Sequence, residues 1–360
     1  MSNAAFSMAA LPWRLKVPGV PDGRLGRSNT NTKRQSVQFR AAAKHEVNAS
    51  SFEDVERRIR GIIDVKAEVK LSIVELSSGF CNSVHLVETD AGDKLVVKVY
   101  SDLSLLRTEK HQRGVIDVMV SESGLGPAVR RNTDEGIAHN FVPGRILEEQ
   151  DMHTRRDVGK ACAKLVAKLH SLETPPEFAG DGPLLWKWLE RMLNEIESSK
   201  TKDVLPVDVS ELRAEVKRVS TIIREEENAC VVLAHGDLKP SNVIFTQSDA
   251  SEVKLIDLEL SGPNYRGFDL MKLFRTSPQQ YSEEHFKQFL KVYCNEMNVD
   301  VASVEAETKL FLPVSWLEAT VFFALVLVLE PRGSDDHTKW EALFLDRWRQ
   351  YQENVKDLGL

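Results

Sequence analysis

A polar loop set between two short apolar runs constrains this chain more than any other feature. Val231–Ala234 leads into His235-Gly-Asp237-Leu-Lys-Pro-Ser-Asn242, and Val243–Thr246 leads out. A further run, Lys254–Ile256, then delivers Asp257. Turn-forming habits explain an Asp and an Asn in a loop, but not a carboxylate at the end of the next strand. Phosphoryl transfer explains all three. It needs a carboxylate beside the accepting hydroxyl and oxygen ligands for Mg²⁺ on the ATP phosphates. Asp237 has the position of a catalytic base that orients the hydroxyl and takes its proton. Asn242 and Asp257 offer hard oxygen donors of the kind Mg²⁺ prefers, so both are expected as metal ligands and, with Asp237, as the catalytic set. His235 is read as a residue that holds the loop, with Asp237 the better base.

The segment upstream reads as the nucleotide clamp. Val69–Leu76, Val84–Glu88 and Lys94–Tyr100 alternate like strands and are separated by Ser77-Ser-Gly79 and Ala91-Gly-Asp93. Lys98 is a lone charge in the third of these, where a lysine can reach ATP phosphates and pair with a helix glutamate. Glu109, on a helix expected over Ser104–Ser121, is the candidate partner. Ser78, Gly79 and Asn82, in the first turn, are expected to turn backbone N–H groups toward the phosphates. Two more strands flank Asn132–Gly136, and Pro143-Gly144 reads as a hinge. Order is expected from Ser51, where a capping-box pattern with Asp54 opens a helix.

Beyond the hinge, helical periodicity dominates: Arg155–His170, Leu184–Glu197, Ser210–Glu226, Ser282–Asn295, Phe311–Leu329 and Asp336–Asn354. The expected class is therefore α+β in two lobes, a small antiparallel-sheet lobe with one helix over 46–142 and a large, mainly helical lobe over 143–360. Residues 1–45 are basic, with Asp22 their only acid, and lack apolar periodicity. They read as a disordered tail or as an organelle transit peptide.

The totals exclude several classes. A formal net charge of -7 gives no basic excess for nucleic acid. Four scattered cysteines without a C-x-x-C pair fit neither a zinc site nor a disulfide framework, so a reducing compartment is expected. Pro313, Ser315 and Glu318 interrupt the most apolar stretch, which reads as a buried helix and not as a membrane span.

Three stretches resemble the choline/ethanolamine kinase family, within the wider aminoglycoside-phosphotransferase-like group: His235–Ile244, Leu255–Asp269 with its Asn264-Tyr-Arg-Gly-Phe-Asp269, and the run from Gly124-Leu-Gly-Pro127 through Gly136–Leu147 to Asp151-Met152. The order in the third is closer to ethanolamine kinases than to choline kinases. The resemblance implies a bilobal, protein-kinase-like fold, ATP and Mg²⁺, and phosphorylation of a small amino alcohol. Ethanolamine is the first expectation, entering phosphatidylethanolamine synthesis by the CDP-ethanolamine route; choline or another small alcohol is the alternative.

It also implies that Lys98 binds ATP, that backbone near Asn140–Val142 meets adenine, and that Arg266 and Asp269 support the site, read as a buried ion pair. Glu259 and Trp316 would line the amine pocket. Leu260 and Thr276 depart from the aromatic and acidic residues usual there, which leaves a catalytically silent binding protein as a further alternative. The missing Gly-rich loop motif weighs against a protein kinase. A cytoplasmic location is expected, with a plastid or mitochondrion if the tail is cleaved. A homodimer stays open.

Overall fold

Leu95, Val97 and Val99 alternate along one strand and turn the same face inward, against Ile59 and Ile62 of a helix. That period of two sends Lys98 to the opposite face. The computed structural model describes residues 49–78, 82–226, 229–246, 252–275, 283–329 and 335–358. The tail over 1–45, Gly79, Cys81 and Thr276 lie outside the described residues.

The first lobe comprises α1 (Ala49–Ile63), β1 (Leu71–Ser78), β2 (Asn82–Thr89), β3 (Lys94–Tyr100), α2 (Asp102–Arg107), α3 (Val115–Glu122), β4 (Val129–Asn132) and β5 (Gly136–Asn140). Its five strands are antiparallel in the order β1-β2-β3-β5-β4. Two expectations need correction here. Ser51 lies inside α1. The helix expected over Ser104–Ser121 is two helices: α2 ends at Arg107, where Thr108 turns extended, and α3 starts only after Gly114, which takes φ +70°.

Residues 141–143 carry the chain into β6 (Gly144–Ile146), which pairs with a strand of the second lobe. There follow α4 (Glu149–Thr154), α5 (Arg156–His170), α6 (Leu184–Ser198), α7 (Val209–Glu225), β7 (Val231–Ala234), β8 (Val243–Thr246), β9 (Val253–Leu255), β10 (Gly262–Tyr265), α8 (Arg266–Phe274), α9 (Glu283–Met297), α10 (Val301–Leu329) and α11 (Asp335–Asn354). α10 is the axis of this lobe. By length and composition it would reach across a membrane, but 89% of its apolar window is buried among the other helices. Two small sheets, β6-β8-β9 and β10-β7, stand on this helical base. Their ends present the loop between β7 and β8 and the turn after β9 on the side of the first lobe.

Candidate active site

The loop after β7 is pinned from below. Asp269, on α8, accepts the backbone N–H groups of His235 at 2.5 Å and Gly236 at 2.8 Å. His170 lies 3.3 Å from the same carboxylate and joins it to the Tyr293 hydroxyl at 2.8 Å. His235 donates from Nε2 to the Ile256 carbonyl at 2.9 Å and accepts the Asp237 N–H at Nδ1, 3.3 Å away. Both its ring nitrogens are thus engaged in holding the loop. Gly236 takes φ +81°, and a Cβ there would stand 2.2 Å from the Leu260 carbonyl oxygen. Gly236→Ala is therefore expected to cost about 1–3 kcal/mol from the left-handed backbone alone. A denaturant midpoint unchanged from wild type would refute this account of the loop.

Asp237 sits at the centre of a charged set. Its Oδ1 lies 2.7 Å from Lys272 and its Oδ2 lies 2.8 Å from Lys239. Burial would raise its pKa, but the two lysines more than offset burial and hold the carboxyl well below the usual range. Asn242 donates its amide N–H to the Asp237 carbonyl at 2.9 Å. The loop is tied to the neighbouring strand end by the Ile256 N–H, which donates to the Asn242 carbonyl at 3.0 Å. Asp257 follows with φ +63°, an uncommon conformation for a residue other than glycine. Its carboxylate meets the Lys98 ammonium from β3, an ion pair that reaches from one lobe to the other. Burial works against the Lys98 charge, but Asp257, Glu259 and Asp117 outweigh it and raise the lysine pKa. Asp237, Asn242, Asp257 and Lys98 are thereby brought to one place between the lobes.

The donor set suits Mg²⁺. Asn242 spends its amide N–H on Asp237, and among the described residues no protein group donates to its side-chain oxygen. No cluster of three His, Cys, Asp or Glu side chains forms a cage among the described residues. Mg²⁺ is commonly held by one or two carboxylates with substrate phosphates and water, and it needs no such cage.

Other expected residues stand elsewhere. Glu109 is not the partner of Lys98. It precedes a short turn and meets Lys187 at 3.2 Å and Arg191, both on α6. Glu259 is already engaged by groups of the protein. It points to the first lobe, where it accepts from Arg107 at 2.7 Å, Ser104 at 3.1 Å and Asn82. Burial and then the Asp257 charge push its pKa up. The Asn82 side chain is accordingly committed to Glu259 and, through Oδ1, to the Ser101 N–H at 3.2 Å. Ser78 closes β1. Asn140 closes β5, its N–H donating to the Ala128 carbonyl at 2.8 Å, and Val142 lies in the crossing between lobes. Arg266 and Asp269 do not pair with each other: Arg266 binds Glu307 of α10, while Asp269 holds the loop. Trp316 is buried on α10 with two guanidiniums, those of Arg275 and Arg347, each 5.2 Å from its ring centroid. Lys272, Arg275, Arg347 and Glu307 carried no signal in the sequence reading, because a buried charge on an apolar helix follows no period.

A family model described as choline/ethanolamine kinase matches residues 73–317. A choline/ethanolamine kinase of Rattus norvegicus is 27% identical over 179 residues, covering 48% of this chain and 44% of that protein, so the chain spans under half of that relative. A probable ethanolamine kinase of Arabidopsis thaliana is 24% identical over 305 residues, 78% of this chain and 79% of its own length. The solved structure of a Plasmodium vivax ethanolamine kinase superposes with a TM-score of 0.66 over 84% of this chain and 89% of that one, at 17% identity, which is a likeness of fold. With the two-lobed architecture and the match across 73–317, the chain belongs to the choline/ethanolamine kinase family, phosphotransferases that act on an alcohol hydroxyl.

Proposed function

We propose that the protein transfers the γ-phosphoryl group of ATP to the hydroxyl of a small amino alcohol of the ethanolamine type. The observation that carries this is the meeting of Asp237, Asn242, Asp257 and Lys98 between the lobes. In the reaction the bond from the γ-phosphorus to ADP breaks and a bond to the acceptor oxygen forms. The hydroxyl proton passes to Asp237. A carboxylate held far below neutrality is a weak base. That suits a loose transition state, in which positioning the hydroxyl matters more than removing its proton early. Lys98 would steady the ATP phosphates from the first lobe. Asn242 and Asp257 would hold Mg²⁺, which supplies neutralising charge at the phosphates when bound.

The preference for ethanolamine over choline rests on the thinner aromatic enclosure: Leu260 stands where an aromatic is usual, and the Trp316 ring already has two guanidiniums of the protein over it. A primary ammonium needs less enclosure than a trimethylated one. ADP release with Mg-ATP and a panel of ethanolamine, choline and other small alcohols tests the reading, and silence with every acceptor while ATP still binds would leave a binding protein. Lys98→Met is expected to raise KM for ATP by about 10–100-fold, the loss of one charge-assisted contact. An unaltered KM for ATP would remove Lys98 from the nucleotide site. We place the activity in the cytoplasm; sequencing the mature N-terminus from the native cell decides between that and an organelle.

A further inference from the structure

Cations gather on the α8 side of Asp237. Lys272 of α8 is 2% exposed and bridges Asp237 at 2.7 Å and Glu318 of α10 at 3.2 Å. Arg275, which caps the C-terminal end of α8, lies 3.8 Å from the same Glu318 oxygen and donates to the Ser315 carbonyl. Its guanidinium covers one part of the Trp316 ring, and Arg347 of α11 lies over the ring as well. Arg347 meets Asp346, a carboxylate shared with Arg349 and 34% exposed. Glu149 of α4 is near enough to interact electrostatically with both arginines. Each carboxylate in this chain of contacts, Asp237, Glu318 and Asp346, already has at least one cation of the protein against it.

A substrate ammonium would therefore compete with Lys272 for Asp237 and Glu318. The groups in excess are donors. The Trp316 Nε1–H is buried and has no acceptor among the described residues; the residue is 2% exposed. A buried donor without a partner is costly, and an anionic oxygen supplies the missing acceptor. Burial, and for Arg347 also the neighbouring Arg275, lowers the pKa of both guanidiniums, so nearby carboxylates do not fully compensate them. Arginine pairs of this kind match carboxylate and phosphate oxygens.

We propose that the preferred acceptor carries an acidic group, a carboxylate or a phosphate, held by Arg275, Arg347 and the Trp316 N–H, with its hydroxyl at Asp237. This rests on the phosphotransferase reading above and narrows its substrate class to amino alcohols that also bear an anion. Lys272 supplies internally the positive charge that an ethanolamine ammonium would bring to Asp237 and Glu318.

The test is ADP release by the full chain with Mg-ATP and three acceptors: ethanolamine, serine and serinol phosphate. The last two separate a carboxylate from a phosphate as the anion. At least one anion-bearing acceptor is expected to exceed ethanolamine in kcat/KM by about tenfold or more, the worth of one or two charge-assisted hydrogen bonds. Arg275→Met is expected to raise KM for that acceptor with little change in KM for ATP, and Arg275→Lys to restore part of it. Turnover of ethanolamine in preference to both anionic acceptors overturns the proposal and leaves the kinase reading standing. ADP with none of the three or of the wider panel overturns both. The wild-type comparison decides the matter even if an arginine variant fails to fold.

Discussion

Asp237→Asn is expected to lower kcat by about 10²–10⁴-fold, the range over which a positioned base acts, while ATP binding persists. The amide keeps the size of the carboxylate and can still accept a hydrogen bond from Lys272 or Lys239, which lie 2.7 and 2.8 Å from it in the wild type. It cannot take the hydroxyl proton. Two lysines would also face a neutral group, and Lys272, at 2% exposure, would keep Glu318 as its carboxylate partner. Some loss of stability should accompany the loss of rate. Its pH dependence follows from the depressed carboxyl pKa. The stabilisation from Asp237 is fully present above the unfolded carboxyl value and is lost as pH falls through the folded one, so wild type and variant should converge only in strong acid. Single-turnover rates beside nucleotide titration check the kinetic part. Near-normal turnover in the variant would show that Asp237 is not the base.

Much of the site was legible because it depends on local pattern. A polar loop between apolar runs announces itself at Val231–Phe245, and alternation in β3 marks Lys98 as the residue facing away from the packed side. What was not legible depends on distance along the chain. Glu109 is eleven positions from Lys98 and seemed its natural partner, yet the ammonium finds Asp257, 159 residues away. Glu259 reaches across 177 residues to Asn82. Periodicity also failed for α8, where every residue from Arg266 to Phe274 is buried. A helix enclosed on all sides has no polar stripe to betray it. That helix supplies both Asp269 and Lys272 to the site, so the least visible helix is the one that sets the charge around the reacting group. Gly114 did carry a signal for the break between α2 and α3, but a single glycine within a helical pattern is compatible with either outcome.

Glu307→Ala is expected to destabilise the protein by about 3–5 kcal/mol, because it strands a buried guanidinium. Glu307 is 1% exposed and Arg266 10%. One carboxylate oxygen accepts from Arg266, including an Nε–H bond of 2.9 Å, and the other accepts the backbone N–H groups of Cys230 at 3.1 Å and Gly267 at 3.3 Å. Burial pushes the Glu307 carboxyl up and Arg266 pulls it back. Glu307 thus ties α10 to the start of β7 and to the first turn of α8, the two elements that deliver the catalytic loop and the Asp269 that pins it. With domains commonly stable by about 5–15 kcal/mol, a loss of this size would unfold a marginal protein at working temperature. Two further variants separate charge from hydrogen bonding. Glu307→Gln keeps an acceptor for the backbone N–H groups but leaves Arg266 without a counter-charge, and should lose nearly as much as alanine. Arg266→Met with Glu307→Leu removes both charges and should recover much of the loss, since desolvating an ion pair offsets most of its attraction. Denaturant unfolding measures all three, with turnover per folded molecule as the second readout. If Glu307→Ala unfolds within about 1 kcal/mol of wild type, the pair is no keystone of this lobe and the loop is held by Asp269 alone.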